Sequence, residues 1–279
     1  MGSEDSGRSG GTPPGTRAAP STAQPLNALP HSLDRSIVIR APRALVFRYF
    51  ADSNRFAAWW GAGSSIDPRP GGAVLIRYPN AVVARGTVER IIPDERIVFT
   101  YGYDDPAKAI APGASRVTIA LLDDEDGTRL DLRHEFADPA VRDHHVPGWR
   151  YQLSVFANVT ANEAHARAAE LIDQYFAAWN ETDASQRRRL LEAVADRRIE
   201  FRDAFAAISG VNDLDQHIAA IHMHMLGTRL ERASAPRQTQ GAVLIDWIGR
   251  RGEEIAARGT NFFEFTPAGR IGCVFGFWT

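Results

Sequence analysis

The sequence predicts an α+β fold built as two units, and three observations predict it. The chain has 279 residues, more than the roughly 100 to 200 of one ordinary domain. Five strand-like segments run in succession from Pro70 to Phe136, set apart by Pro, Gly and Asp clusters and flanked on both sides by helical spacing. Beyond about residue 160 the order changes to helices first and strands last, and no internal repeat relates the two halves.

The elements follow in order. Residues 1–33 are rich in Gly, Ser, Thr and Pro, offer no repeating apolar face, and read as a disordered tail. A first domain then spans 34–160. SIVIRA (36–41) is a short β-branched strand, and Ala41–Trp60 reads as helical turns with Leu45, Val46, Tyr49 and Phe50 on one side. PGGAVLIRY, ARGTVERI, RIVFTYGY, SRVTIALL and TRLDLRHEF form an antiparallel meander, with Asp126-Gly127 marking a hairpin. Pro147–Thr160 returns to helical spacing, with Trp149, Leu153 and Phe156 at i, i+4 and i+7, and should cover one face of the sheet. Thr160-Ala161-Asn162-Glu163 has capping-box spacing and predicts the start of a new helix and of a second domain, 161–279. That domain reads as a long amphipathic helix (163–183), a short helix (186–195), a strand with Ile199, Phe201 and Asp203 on one face, a third helix (213–226) and three closing strands.

Composition narrows the function classes. Hydrophobic residues make up 44% and charged residues 24%, which suits a packed globular core. A net charge of -2 supplies no basic field for nucleic acid. The single cysteine, Cys273, excludes an internal disulfide framework and a multi-cysteine zinc site. No stretch is long and apolar enough to span a bilayer, and the N-terminal segment lacks the apolar core of a secretory signal, so a cytoplasmic location is expected. P-loop, G-x-S-x-G and strand-linked G-x-G-x-x-G motifs are absent.

Two resemblances cover nearly everything after the tail. IRAPRALVFRYF, Trp59-Trp60-Gly61, PGGAVLIRY, IVFTYGY and a helix opening with Gly148-Trp149 resemble the START-like (SRPBCC) superfamily, in the branch named for the activator of heat-shock protein 90 ATPase. The resemblance implies a helix-grip domain, a sheet wrapped around a long C-terminal helix with a hydrophobic cavity between them. QYFAAWN, FRD, GTNFFEF and AGRIGCVFGFW resemble the nuclear-transport-factor-2-like superfamily, in its SnoaL-like polyketide cyclase and ketosteroid isomerase branch. This implies a cone-shaped α+β barrel serving enzymes and binders alike.

Carried over position by position, the second resemblance makes Tyr175 a hydrogen-bond donor, Asp203 a general base, and Asn261 the occupant of a position where the isomerases keep a protonated acid. An amide donates a hydrogen bond at any pH but is a weaker donor than a neutral carboxyl and cannot exchange a proton, a departure from the isomerase pattern. On its apolar strand face the Asp203 carboxylate should have a raised pKa, and the same residue equally suits capping the next turn. In the first unit Trp60, Tyr78, Tyr101 and Trp149 are candidate cavity walls or plain core, and His134 is a satisfied core histidine or a cavity hydrogen-bonder. In the second, His222, His224, Trp247 and Phe263 complete the candidate ligand-binding set. His217 and His224 are two turns apart, too far for a compact metal site, and Arg187-Arg188-Arg189 reads as a solvated face.

The favoured reading is a two-domain binder of small hydrophobic molecules through one or two cavities, with no cofactor or metal and no nucleic-acid or membrane partner. The alternative is an isomerase, cyclase or hydratase using acid/base chemistry in the second unit. A homodimer through the outer face of the second sheet is an assembly to test, and a chaperone partner rests on a family name alone.

Overall fold

A computed structural model describes residues 28–279, so the expectation for most of the tail lies outside the described residues. The tail boundary needs correction. Strand β1 (His31–Ile39) begins before it, and Leu33 is buried opposite His134. The alternation that SIVIRA shows simply continues backward through Arg35 to Leu33, on the face that also carries Ile37 and Ile39.

Helices α1 (Arg43–Arg48) and α2 (Ser53–Trp60) follow, the second capped by the Asp52 carboxylate accepting from Arg55 N at 2.8 Å. Then come β2 (Ser65–Ile66), β3 (Ala73–Arg77), β4 (Val83–Ile92), β5 (Arg96–Tyr103), β6 (Ser115–Asp124) and β7 (Gly127–Phe136). Their order β1-β7-β6-β5-β4-β3-β2 is antiparallel throughout, the expected meander closed at one edge by β1. Asp124 pairs with Gly127 across a two-residue turn where the hairpin was read.

Helix α3 (Pro139–Ala164) lies over this sheet, longer at both ends than its spacing announced. Asp138 caps it, accepting from Ala140 N at 2.7 Å, and Pro139 takes the first turn, where its missing N–H costs nothing. Pro147 therefore sits inside a helix rather than starting one. Its buried stripe runs His145, Trp149, Gln152, Leu153, Phe156, Ala157, Thr160, Ala161 at spacings of three and four. The capping box at Thr160 is overturned: Thr160 is inside α3, near its C-terminal end, and fully buried. Glu163 instead receives Arg55 Nη2 at 2.7 Å and the Tyr49 hydroxyl at 2.9 Å, so the last turn of α3 is bolted to α1 and α2.

After a turn at His165–Arg167 the chain forms α4 (Ala168–Asn180), α5 (Ala184–Val194), β8 (Ala195–Arg202), β9 (Ala207–Ser209), α6 (Val211–His224), β10 (Arg229–Arg232), β11 (Arg237–Thr239), β12 (Ala242–Arg251), β13 (Glu254–Phe265) and β14 (Ile271–Trp278). The second sheet runs β10-β12-β13-β14-β8-β9, with β11 also on β12. It is antiparallel except for the β14–β8 pair, and its path is open at β10 and β9 rather than closed into a barrel.

Two hydrophobic clusters form, one from Leu33 to Ala157 and one from Ala168 to Val274. Between them lie polar contacts, Arg40 with Glu264 at 3.2 Å, Thr239 Oγ1 and Gln240 N with Asn158 Oδ1, and the His165 ring with the Thr266 carbonyl, and the same ring packs on Phe265. One arginine of the basic run departs from its expected solvated face. Arg187 shares a helix face with Leu191 and Val194, is buried, and donates to Asp215 Oδ1 at 2.6 Å and to the carbonyls of Glu181 and Thr182.

Two candidate sites, one open and one nearly filled

The first site lies between the meander and α3. It is a cleft of about 620 Å³, lined by the expected Trp60, Tyr78, Tyr101 and Trp149 together with Tyr103, His145 and Gln152. Trp60 stands edge-on to both Tyr78 and Trp149, with ring centroids 5.7 and 5.6 Å apart. The Tyr78 and Tyr101 hydroxyls are 2.7 Å apart. One donates to the other, so one hydroxyl proton of the pair is left to donate elsewhere. Burial pushes both phenols above their ordinary pKa of 10.0, so both stay protonated donors.

His134 is not part of the cleft. It is fully buried behind the wall with both ring nitrogens engaged. Trp149 Nε1, which can only donate, gives its hydrogen bond to Nδ1 at 2.9 Å. Nε2 then carries the proton and donates to Ser115 Oγ at 2.8 Å, and the Ser115 hydroxyl donates to the Tyr101 carbonyl at 2.8 Å. Desolvation, reinforced by His145, holds the His134 pKa well below 6.5 and keeps this chain neutral. The chain fixes Trp149 on the helix relative to Tyr101 on the strand.

His145 is a lining residue that the sequence reading missed. Its Nδ1 faces the Val141 carbonyl at 2.8 Å and so must donate, leaving Nε2 to accept from the Tyr103 hydroxyl at 3.2 Å. A signal existed: His145 is one turn before Trp149, and Tyr103 is two residues after Tyr101 on the same strand face.

The second site brings the expected trio together. Tyr175, Asp203 and Asn261 line one cavity with His222, Trp247 and Trp278. The Tyr175 hydroxyl is fully buried and has no hydrogen-bond partner among the described residues; burial pushes its pKa well above 10.0. Asn261 Oδ1 accepts from Trp247 Nε1 at 2.8 Å. Because an indole only donates, this fixes the amide's orientation and leaves Nδ2 as a donor with no acceptor among the described residues.

Of the two readings of Asp203, the structure shows the turn cap. Its carboxylate is half-buried rather than bare in an apolar interior. Oδ1 accepts from Phe205 N and Ala206 N, both at 2.8 Å, and Oδ2 accepts from Trp278 Nε1 at 3.1 Å. It ends a strand and caps the following turn.

Gly276, paired with Asn261 in register, lies between the two polar groups: a Cβ there would stand 3.3 Å from both Asn261 Oδ1 and Asp203 Cβ. The cavity these residues enclose is only about 40 Å³, room for a few water molecules.

The other candidates of this half divide. His222 lines the cavity, but its Nε2 donates to the Trp179 carbonyl at 2.8 Å. His224 is exposed and takes no part. Phe263 is fully buried behind Tyr175, edge-on at 5.5 Å, and packs rather than lines. His217, not among the candidates, packs on Trp179 and Phe201 with Nε2 unpartnered among the described residues. Among the described residues no three His, Cys, Asp or Glu side chains cluster as metal ligands would.

Comparison with known proteins supports the first of the two family resemblances. Residues 40–161 match the family model described as activator of Hsp90 ATPase homolog 1-like protein. No curated protein matches the chain. Among solved structures, it is similar to an AHSA1-like protein from Rhizobium etli at 30% identity, covering 48% of this chain and 85% of that one, with a TM-score of 0.39. It is similar also to a proposed isomerase of the SnoaL-like family from Agrobacterium tumefaciens, at 24% identity over 42% of this chain and 98% of that one, TM-score 0.39. A third is CalU16 from Micromonospora echinospora, at 25% identity over 45% of this chain and 75% of that one, TM-score 0.38.

Proposed function

We propose that the protein binds a small, largely apolar molecule in the cleft between the meander and α3. One observation carries this reading: the cleft's volume of about 620 Å³ falls within the roughly 300 to 1,000 Å³ of small-molecule sites. Its walls suit that role. Trp60, Trp149 and Tyr78 offer aromatic faces and edges to a flat body, while the Tyr78–Tyr101 pair retains a proton for one carbonyl or hydroxyl acceptor at depth. Fluorescence titration of the full chain with N-phenyl-1-naphthylamine tests it. Saturable binding is expected, and Ala109→Trp, which places a bulky side chain at the exposed mouth without touching the core, should weaken it at least tenfold. Absence of saturable binding across this probe and a panel of neutral aromatics would overturn the reading.

A second reading places acid/base chemistry in the other half. Tyr175 Oη and Asn261 Nδ2 are two donors without acceptors among the described residues, facing one cavity with a carboxylate. In this scheme Asp203 takes a proton from the carbon beside a carbonyl, and the two donors hold the developing oxyanion. The cavity of about 40 Å³ would have to widen first. Screening small cyclic ketones for deuterium exchange beside the carbonyl tests this: Asp203→Asn should slow any exchange found by about 10²- to 10⁴-fold. Exchange undiminished in that variant would remove Asp203 from the role.

A further inference from the structure

The cleft also carries a charge pattern, and it belongs to one residue. Lys108 is the only lysine of the chain, and it stands exposed on the rim of the cleft. Although the chain holds 34 Asp and Glu, no carboxylate and no arginine among the described residues lines this cleft. The rest of the polar lining is neutral or imidazole: Asn80, the tyrosines, Gln152, and His144 and His145.

The segment presenting Lys108 is held in place. Tyr103 N donates to the Ile110 carbonyl at 2.9 Å, Ile110 is buried, and Lys108 N closes a turn on the Asp105 carbonyl at 3.0 Å. Gly102 makes this possible. A Cβ there would stand 1.7 Å from the Ala111 carbonyl oxygen, so only glycine lets the segment fold back onto β5. The nearest acids in sequence are engaged elsewhere: Asp104 binds Arg85 Nε at 2.6 Å, and Asp105 Oδ1 accepts from Ala107 N at 2.9 Å. Among the described residues the Lys108 ammonium has no ion-pair partner within 4.0 Å.

We propose that the cleft selects an amphipathic acid: a flat apolar body between Trp60 and Trp149, with a carboxylate or similar anion at the mouth against Lys108. The proposal rests on the cleft being a binding site at all. A lone ammonium at the end of an aromatic slot, with no carboxylate of the described residues in its lining, attracts an anion and orients it, so the acid end stays outward and the acceptor-seeking Tyr78–Tyr101 pair meets the far end of the body.

Two probes sharing one aromatic body decide it, N-phenyl-1-naphthylamine and 8-anilino-1-naphthalenesulfonate, which adds a single anionic group. Only the signal lost in Ala109→Trp is counted as cleft binding. For the full chain at low salt, the affinity ratio of sulfonate to neutral probe should fall about three- to tenfold in Lys108→Gln, remain in Lys108→Arg, and shrink in 0.5 M salt, as expected of a partly exposed pair. The neutral probe should bind Lys108→Gln as it binds the natural chain. An unchanged ratio, or equal weakening of both probes, overturns the acid preference while leaving the cleft as a binding site. Failure of the neutral probe to bind the natural chain overturns the binding reading itself.

Discussion

The two halves use the same materials, a curved sheet and a packed helix rich in aromatics, yet one encloses about 620 Å³ and the other about 40 Å³. The difference traces to what each helix presents. Over the open cleft α3 shows His145, Trp149 and Gln152, but with Pro147 and Gly148 between them, and a Cβ at Gly148 would meet nothing within 4 Å. Over the closed one α4 shows Tyr175, Phe176 and Trp179, facing Phe201, Trp247 and Trp278. Large against large fills the second space, whereas the two-residue Pro147-Gly148 step leaves room in the first. Volume in such folds is thus set by a few positions on the covering helix.

The largest expected effect separates the halves energetically. Trp149→Ala removes a buried indole and orphans His134 Nδ1, and should cost about 3–5 kcal/mol. If the two hydrophobic clusters melt independently, denaturant unfolding followed by far-UV circular dichroism will show one transition moving and the other standing still. Phe263→Ala should shift only the other. Joint movement in both variants would mean that the halves form one cooperative unit.

A second experiment sharpens the border between them. A fragment 28–159 ends before Thr160, Ala161 and Glu163 and loses the Tyr49–Glu163–Arg55 cluster, whereas 28–166 keeps it. The longer piece should be more stable by about 2–3 kcal/mol, from two buried side chains and two charge-assisted hydrogen bonds. Equal melting would show that the last turn of α3 contributes nothing to the first half.

This border shows what the sequence could and could not disclose. The meander, the hairpin at Gly127 and the Trp149 stripe were legible because their determinants are local: alternation, turn residues, spacing. Thr160 misled because capping-box spacing also occurs inside a helix, and only partners about a hundred residues away, Tyr49 and Arg55, reveal what Glu163 does. Pro147 misled because proline ordinarily begins a helix, and Asp138-Pro139 was the true start. At the sites, Tyr175, Asp203 and Asn261 were found through resemblance. The indoles of Trp247 and Trp278 that orient two of them come from cross-strand geometry that no spacing encodes. Lys108 was invisible for the same reason: it reaches the cleft through the fold-back at Gly102.

Acid should expose the same asymmetry. His134 and His145 are both held neutral by burial, their pKa values below the ordinary 6.5. In the unfolded chain each takes a proton near 6.5, which the folded state resists. Their contribution is therefore complete above that pH and declines as the pH falls through the folded values, by up to about 1.4 kcal/mol per pH unit for each group. The second half has only the half-buried His217 shifted in the same direction. The first transition should consequently weaken more steeply between pH 6.5 and 5, and His145→Asn should flatten it. Equal slopes for both halves would refute the assignment. Below the ordinary carboxylate value of 4.5 a further loss is expected, since Arg55 holds the Glu163 pKa down and protonation breaks that contact.

The smallest effects come from two glycines, and they should have opposite signs. Gly148→Ala adds a methyl group to open space on a helix and removes backbone freedom from the unfolded chain, so it should stabilise the first half by about 0.5–1 kcal/mol with little effect on probe binding. Gly276→Ala saves similar entropy, but its Cβ meets Asn261 Oδ1 and Asp203 Cβ at 3.3 Å. Neither neighbour is free to yield, because Trp247 holds the amide and two backbone N–H groups and Trp278 hold the carboxylate. Crowding there should outweigh the entropy and destabilise the second half by about 1 kcal/mol or more. Replacing Gly148 by Phe extends the comparison from stability to space. If the gap on α3 is what keeps the first cleft open, this change should leave the fold intact and weaken N-phenyl-1-naphthylamine binding at least tenfold, making the first half resemble the second. Undiminished binding in that variant would mean that the cleft owes its volume to the sheet rather than to the helix.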